Sequence, residues 1–309
     1  VAGVPFGPGS NPSGQIVELA TLIRAANAFH NAIHGRIADW FVCSNRRGHG
    51  RVQSVPPAAA LFVDQTNRAA QMAFHRDYPF AVNSSPKAVK AQAYGWLNAI
   101  HYLAPSDMSG VNVCPKASAG CKALCLGWFS GQAGIGDDNG TRRSRLDKTR
   151  RFMRDRKAYL ADIVRQIERQ QRIAARKGFK LCVRLKGSSD IAWEGIRLED
   201  GRNLFDRFSD VAFVDYTKIA RRFERALPPN YHLTLSRSEI NESECLEALE
   251  RGINVAVVFA DKPATWHGFE CIDGDEHDLR QLDPRGGYVI ALSPKGSKAK
   301  RDVSGFVVR

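Results

Sequence analysis

No apolar run in this 309-residue sequence approaches the ~18 residues of a membrane span; Pro57–Val63 and Ile253–Ala260 are the longest candidates. No association with a membrane is therefore expected. Glycine and proline are modest, at 26 and 14, which excludes collagen-like and low-complexity chains. The opening VAGVPFGPGS lacks a methionine, a basic n-region and an apolar h-region, so no signal peptide is expected. Cysteines do not come in an even set: there are seven, and three fall within twelve residues. Without a secretion signal, that usage points to a reducing, cytoplasmic compartment and to metal or redox chemistry, not a disulfide framework.

Negative charge is the other shortage. Lys and Arg number 45 against 32 Asp and Glu, a net charge of +13. Between Thr141 and Gly178 there are fourteen basic and four acidic residues, which concentrates +10 in one segment. Apolar residues recur there at helical spacing, from Leu146 through Tyr159, Ile163 and Ile167, and Gly178 ends the run. A helix with an apolar face and an Arg-rich opposite face suits a phosphate backbone. Arg142, Arg143, Arg145, Lys148, Arg150, Arg151 and Arg154 are the candidate nucleic-acid contacts, DNA ahead of RNA. Smaller cationic clusters stand in apparent loops at Arg46, Arg47 and Arg51, and at Lys295, Lys298, Lys300 and Arg301.

Along the chain, residues 1–100 read as mostly helical, with amphipathic patterns near 13–40, 60–75 and 86–103, packing on the larger C-terminal part of the chain. His30 and His34 lie at i, i+4 on the first pattern and read as packing residues. From about residue 101 the rhythm changes. Short β-rich runs at 110–113, 179–185, 211–216, 231–235, 254–259 and 288–292 alternate with helical stretches at 142–177, 202–208, 219–226 and 241–251. Alternation of this kind predicts βαβ units and a parallel sheet. Six strands suggest an α/β fold, a partial (β/α)6-type barrel over 101–309, with an open doubly wound sheet as the alternative.

The densest chemical signal is CPKASAGCKALC. Cys114, Cys121 and Cys125 form C-x6-C-x3-C on an expected loop ahead of the long basic helix. Three thiolates can hold three irons of a [4Fe–4S] cluster and leave the fourth open. Zinc is the alternative metal; a structural zinc site takes four protein ligands, and Cys182 is the nearest further candidate.

A second signal lies at the expected C-terminal ends of the strands, where barrels and open α/β sheets bind ligands. Lys186, Ser188, Ser189 and Asp190 follow one strand; Asp215, Thr217 and Lys218 end the next; Ser236, Arg237 and Glu239 follow the third. Asp190, Asp215, Lys218 and Glu239 are the candidate catalytic groups, and Lys186, Ser188, Ser189, Thr217, Ser236 and Arg237 the candidate substrate contacts. Asn241 reads as a helix cap with Glu244 three residues on. A third cluster, DGDEHDLR, sets Asp273, Asp275, His277 and Asp278 beside Arg280, as a metal or acid–base group.

In order, HYLAPSDMSGVNVCPKASAGCKALCL, KTRRF, VRLKGSSDIAWE, VDYTK, YHLTLSRSEIN, NVAVVF and DGDEHDLR, closing with LSPKGSKAKRDVSGFVV, resemble the mycobacteriophage gene-product-88-like family over about residues 85–309. More distantly, a strand, a three-cysteine loop, a helix and further β/α units are similar to radical S-adenosylmethionine enzymes. That resemblance implies a cluster on Cys114, Cys121 and Cys125, with Leu124 before the third cysteine, and S-adenosylmethionine at its open iron. The spacing differs from that superfamily's C-x3-C-x2-C, and Lys186–Asp190 stand where its GGE-type motif would fall. The expectation is a phage-encoded Fe–S enzyme acting on nucleic acid or nucleotide, with DNA-base modification as its chemistry, in the cytoplasm of an infected bacterial host. Two other readings stand beside it: a base-exchange transglycosylase using Asp190 or Asp215, and a zinc-stabilised nucleic-acid-binding protein without catalysis.

Overall fold

A computed structural model describes residues 79–82, 86–137 and 139–309. The expectations for residues 1–78, including His30, His34 and Arg46–Arg51, lie outside the described residues. Nine strands form one sheet: β1 Phe80–Val82, β2 Trp96–His101, β3 Lys180–Arg184, β4 Ala212–Thr217, β5 Tyr231–Ser236, β6 Val255–Val258, β7 Thr265–Trp266, β8 Phe269–Asp273 and β9 Val289–Leu292. Their order is β1-β2-β3-β4-β5-β6-β9-β8-β7. From β2 to β6, on to β9 and β8, neighbours are parallel; β1 and β7 pair antiparallel at the two edges. The sheet is open, since its edge strands are not joined, so the expected mixed α/β class holds as an open, mostly parallel sheet.

The strands at 179–185, 211–216, 231–235, 254–259 and 288–292 fall where the apolar runs placed them. Two expectations do not hold. Residues 110–113 are loop, and the strand preceding the cysteines is β2, inside a stretch whose spacing predicted a helix. The sheet accordingly begins at Phe80, before residue 101. The β7–β8 hairpin was not expected either.

Alternation along each strand separates two faces. Leu97, Ala99, Leu181, Val183 and Phe213 enter one apolar cluster with Phe152, Tyr159, Ile163 and Ile167 of the basic segment. Leu235, Val255, Val257, Val289 and Ala291 enter a second with Cys245, Ala248 and Leu249 of helix Glu242–Glu250. Each large side chain so buried contributes about 1.5–3 kcal/mol, so helix packing fixes which face the helices cover. The opposite face carries Cys182 and Val214, packed under Ala91 and Leu279, and Arg184, Tyr216, Ala256 and Leu292, which line the site.

The basic segment is two helices, α1 Gly140–Arg154 and α2 Arg156–Arg176. Asp155 breaks it: φ −138° and ψ 70° leave the helical region, and its carboxylate caps α2 by accepting from Ala158 N–H. Among the described residues no helix is long and apolar enough to cross a membrane.

Candidate functional site

Part of this second sheet face and the loops at its C-terminal edge enclose a cavity of about 990 Å³. Volumes of several hundred Å³ suit small-molecule and cofactor sites. Cys114, Cys121 and Cys125 line it together with Lys186, Asp190 and Lys218. Ser188, Ser189, Thr217 and Ser236 line it too, so the cysteine loop and most of the strand-end rim meet in one place.

Local bonds explain how the cysteine loop is held. Ser118 caps the turn Ala119–Ala123 by accepting from Cys121 N–H at 3.1 Å. Cys114 Sγ accepts from Ser106 N–H at 3.3 Å and faces Ser188 O at 3.7 Å. Asp190 N–H donates to Val113 O at 2.8 Å, stitching the loop to the end of β3. Gly127 permits the closest approach, because a Cβ there would stand 2.3 Å from Ser188 Cβ.

Burial pushes the Cys114 thiol up to about 11 and the Cys125 thiol up to about 12, and neighbouring thiols add to both. Cys121 is raised for the same first reason, burial. Three desolvated thiols side by side therefore stay protonated until something cationic takes them as thiolates. Cys182 is not with them. It packs on the sheet with Ala91, Val214 and Leu279, so it is not placed to complete a four-ligand zinc site. Among the described residues, no three His, Cys, Asp or Glu side chains stand close enough to share one metal ion. A four-iron cluster takes one thiolate per iron, so its ligands spread wider than those of a single ion. Among the described residues no fourth cysteine lines the cavity, so the donor set there is three sulfurs, the number a four-iron cluster with one open iron takes and one short of a closed zinc site.

The expected acids divide. Asp190 lines the cavity and is held ionised: Lys186 Nζ lies 2.9 Å and Arg222 Nη1 3.3 Å from one oxygen, and Lys218 N–H 2.9 Å from the other. Burial opposes that charge, but Lys186 and the Lys218 amide prevail and its pKa falls. Asp215 does not line the cavity. It shares its strand face with Phe213, is fully buried, and accepts from Lys186 N–H at 2.8 Å and the Tyr231 hydroxyl at 3.3 Å. Burial raises its pKa to about 6. Its place is inside the fold, joining β3 to β4 and β5, and not at a substrate.

Glu239 is likewise a brace. Its oxygens accept from Ser118 Oγ and Gly120 N–H, each at 2.7 Å, which ties the cysteine loop to the end of β5. A Cβ on Gly120 would stand 2.9 Å from those oxygens. Arg237 also turns away, to Glu242 at 2.7 Å and to the Gly305 and Phe306 carbonyls. Lys218 faces the cavity, its ammonium 2.9 Å from Ser236 Oγ and 5.2 Å from the Phe306 ring centre.

The basic contacts divide three ways. Arg142 is buried, and its guanidinium donates to the Trp128, Ala133 and Asp137 carbonyls, clamping the Gly-rich loop before α1. Arg151 pairs with Asp162. Arg145 and Lys148 line the cavity, and Arg143, Arg150 and Arg154 are exposed.

The acidic cluster is absorbed by ion pairs. Asp273 and Asp275 meet Lys262, Asp275 also meets Lys295 at 2.9 Å, and Asp278 meets Arg184 at 3.1 Å. Lys298 stacks on Phe129 at 4.0 Å, and Gly296–Lys300 is helical where a loop was expected. Asn241 stands at its helix N-terminus, yet its side chain makes no capping bond. It accepts from Ser238 N–H at 2.6 Å instead. Sequence reasoning missed Arg222, which braces Asp190, and Arg184 and Tyr102, which line the cavity. Arg222 was the most accessible of these, a cation five residues beyond the end of β4.

A family model described as Gene product 88 matches residues 78–309. No curated protein and no solved structure matches the chain.

Proposed function

The chain belongs to the gene product 88 family, and from the geometry of its cavity we propose that it is an Fe–S enzyme acting on a nucleotide unit. Cys114, Cys121 and Cys125 would hold a [4Fe–4S] cluster, and the cavity beside them would take S-adenosylmethionine. The observation that carries this reading is the meeting of all three thiols with Lys186, Asp190 and Lys218 on one cavity. When bound, the cluster supplies one electron for reductive cleavage of S-adenosylmethionine.

This chain's residues do the rest. Asp190 stays ionised and holds Lys186 and the Lys218 amide in place, which fixes the polar wall against which a substrate is oriented. Lys218, Ser236 and Thr217 supply donors and acceptors to a substrate's polar edge. The exposed Arg143, Arg150 and Arg154 steer a polyanion, with DNA the favoured partner and base modification the favoured outcome. The same proposal takes in a barrel-like winding of the strands, a radical reaction and a phage-encoded DNA-modifying role.

Anaerobically reconstituted protein, reduced in the presence of S-adenosylmethionine, is expected to release methionine and 5′-deoxyadenosine. A protein loaded with iron and sulfide that releases neither overturns the S-adenosylmethionine part of the reading.

A further inference from the structure

Helix α1 has two chemically different sides. Gly140, Thr141, Ser144, Arg145 and Lys148 line the cavity. Spacings of three, four and seven residues put the last four on one helical face, spanning about 10 Å at 1.5 Å per residue. Two hydroxyls and two cations face inward there, and the only acid of this stretch, Asp147, is exposed on another face.

Among the described residues, no carboxylate pairs with either cation. Arg145 spends one N–H on the Gly127 carbonyl and stacks on Tyr102, its carbon 4.5 Å from the ring centre. The groups acting on it are Tyr102 and the Cys125 thiol, and no carboxylate is among them. Lys148 is partly buried with Arg145 as its charged neighbour, and burial followed by that repulsion lowers its pKa to about 8. Two like charges turned toward one cavity, without a carboxylate partner among the described residues, are costly unless a ligand brings negative charge. Among the other cavity cations, Lys186 has Asp190, Arg184 has Asp278 and Lys295 has Asp275, whereas the Lys218 ammonium is held by Ser236 and the Arg237 carbonyl.

We infer that Thr141, Ser144, Arg145 and Lys148 form a phosphate seat that anchors a phosphate-bearing ligand inside the cavity. A phosphate monoester carries up to two negative charges and three acceptor oxygens, which matches two cations flanked by hydroxyls. A lone carboxylate, with one charge, leaves half of the stripe unmatched. The phosphate comes from a free nucleotide, as one monoester, or from a nucleic-acid strand, whose successive diesters bring one charge each to the two cations. The inference rests on the reading of the cavity as a nucleotide site, and does not depend on the cluster.

The test is calorimetric titration of the reconstituted full-length protein with 2′-deoxynucleoside 5′-monophosphates, the matching nucleosides, inorganic phosphate and a short single-stranded oligonucleotide. At least one phosphate-bearing probe should bind, and its phosphate-free counterpart should bind about tenfold weaker or worse, the cost of a lost charge-assisted hydrogen bond. Lys148→Gln and Ser144→Ala should shrink that preference, and Arg225→Gln, on an exposed turn, should keep it. Preference for the monophosphate assigns a free nucleotide, and preference for the oligonucleotide assigns a strand; either supports the seat. Equal affinity with and without phosphate, or wild-type behaviour of both variants, overturns it. So does a parallel loss of iron and affinity in Lys148→Gln, which would make that lysine a counter-charge for the cluster. If Lys148→Gln fails to fold, Ser144→Ala carries the test. Iron and sulfide are measured on the same samples, so the two readings fail separately. Iron-free protein that still prefers phosphate refutes the cluster alone, and loaded protein without the preference refutes the seat alone.

Discussion

Glu239 accepts two hydrogen bonds from the cysteine loop, and both are charge-assisted. Its replacement by alanine should cost about 2 kcal/mol of stability, the worth of such bonds. It should also lower iron retention while the far-ultraviolet circular dichroism stays native; full iron loading at an unchanged melting temperature would show that the brace is unimportant. Lys148 gives a pH signature. Its folded pKa of about 8 lies below the ordinary lysine value of 10.5, so the unfolded chain binds the extra proton between those limits. Stability from this residue should therefore rise as pH increases through that window. Thermal melts of wild-type protein and Lys148→Met should converge or cross in that direction, and parallel curves would mean the lysine is not desolvated. At this scale the strand-end residues are legible in the sequence as a group, but their individual roles are not. Asp215 looks equivalent to Asp190 because both follow apolar runs. Two-residue alternation from the buried Phe213 puts Asp215 on the helix side, a distinction that appears only once the covered face is known.

Helix α1 shows why a count of charges is a weaker guide than their distribution around an axis. The helical, amphipathic character of the basic segment is plain in the sequence, but its break at Asp155 is not, because one aspartate inside a continuous pattern carries little signal. Of seven cations expected to touch nucleic acid, Arg142 is buried and Arg151 is half-buried in an ion pair, whereas Arg143, Arg150 and Arg154 are exposed. Reversing those three to Glu should flatten the slope of log affinity against log salt by roughly 0.7–0.9 for each lost phosphate contact. An unchanged slope would place the strand elsewhere, and the same reversal at internal Arg142 should instead destabilise the fold. Strand β2 escapes a local reading for a related reason. The stretch 86–103 has an apolar spacing that suits a helix, and its pairing with β3 through Asn98↔Cys182 is a long-range property. The two-residue β7 is too short to show alternation at all.

For the whole molecule, parallel strands buried on both sides read as apolar runs, which is why β3 to β6 and β9 are legible. That the sheet stays open depends on edge pairing by β1 and β7, which no local pattern announces. The arrangement leaves one sheet face under helices and part of the other under a cavity reached by three thiols. The proposed chemistry depends first on what those thiols bind. The decisive measurement is iron and acid-labile sulfide in anaerobically purified and reconstituted protein, with Cys114→Ala, Cys121→Ala and Cys125→Ala beside Cys245→Ala. About four irons and four sulfides per chain are expected in wild type and in Cys245→Ala, whose native thiol is buried on helix Glu242–Glu250. Each of the other three variants should lose most of both. Zinc bound without sulfide, or metal retained in all three variants, would contradict the cluster.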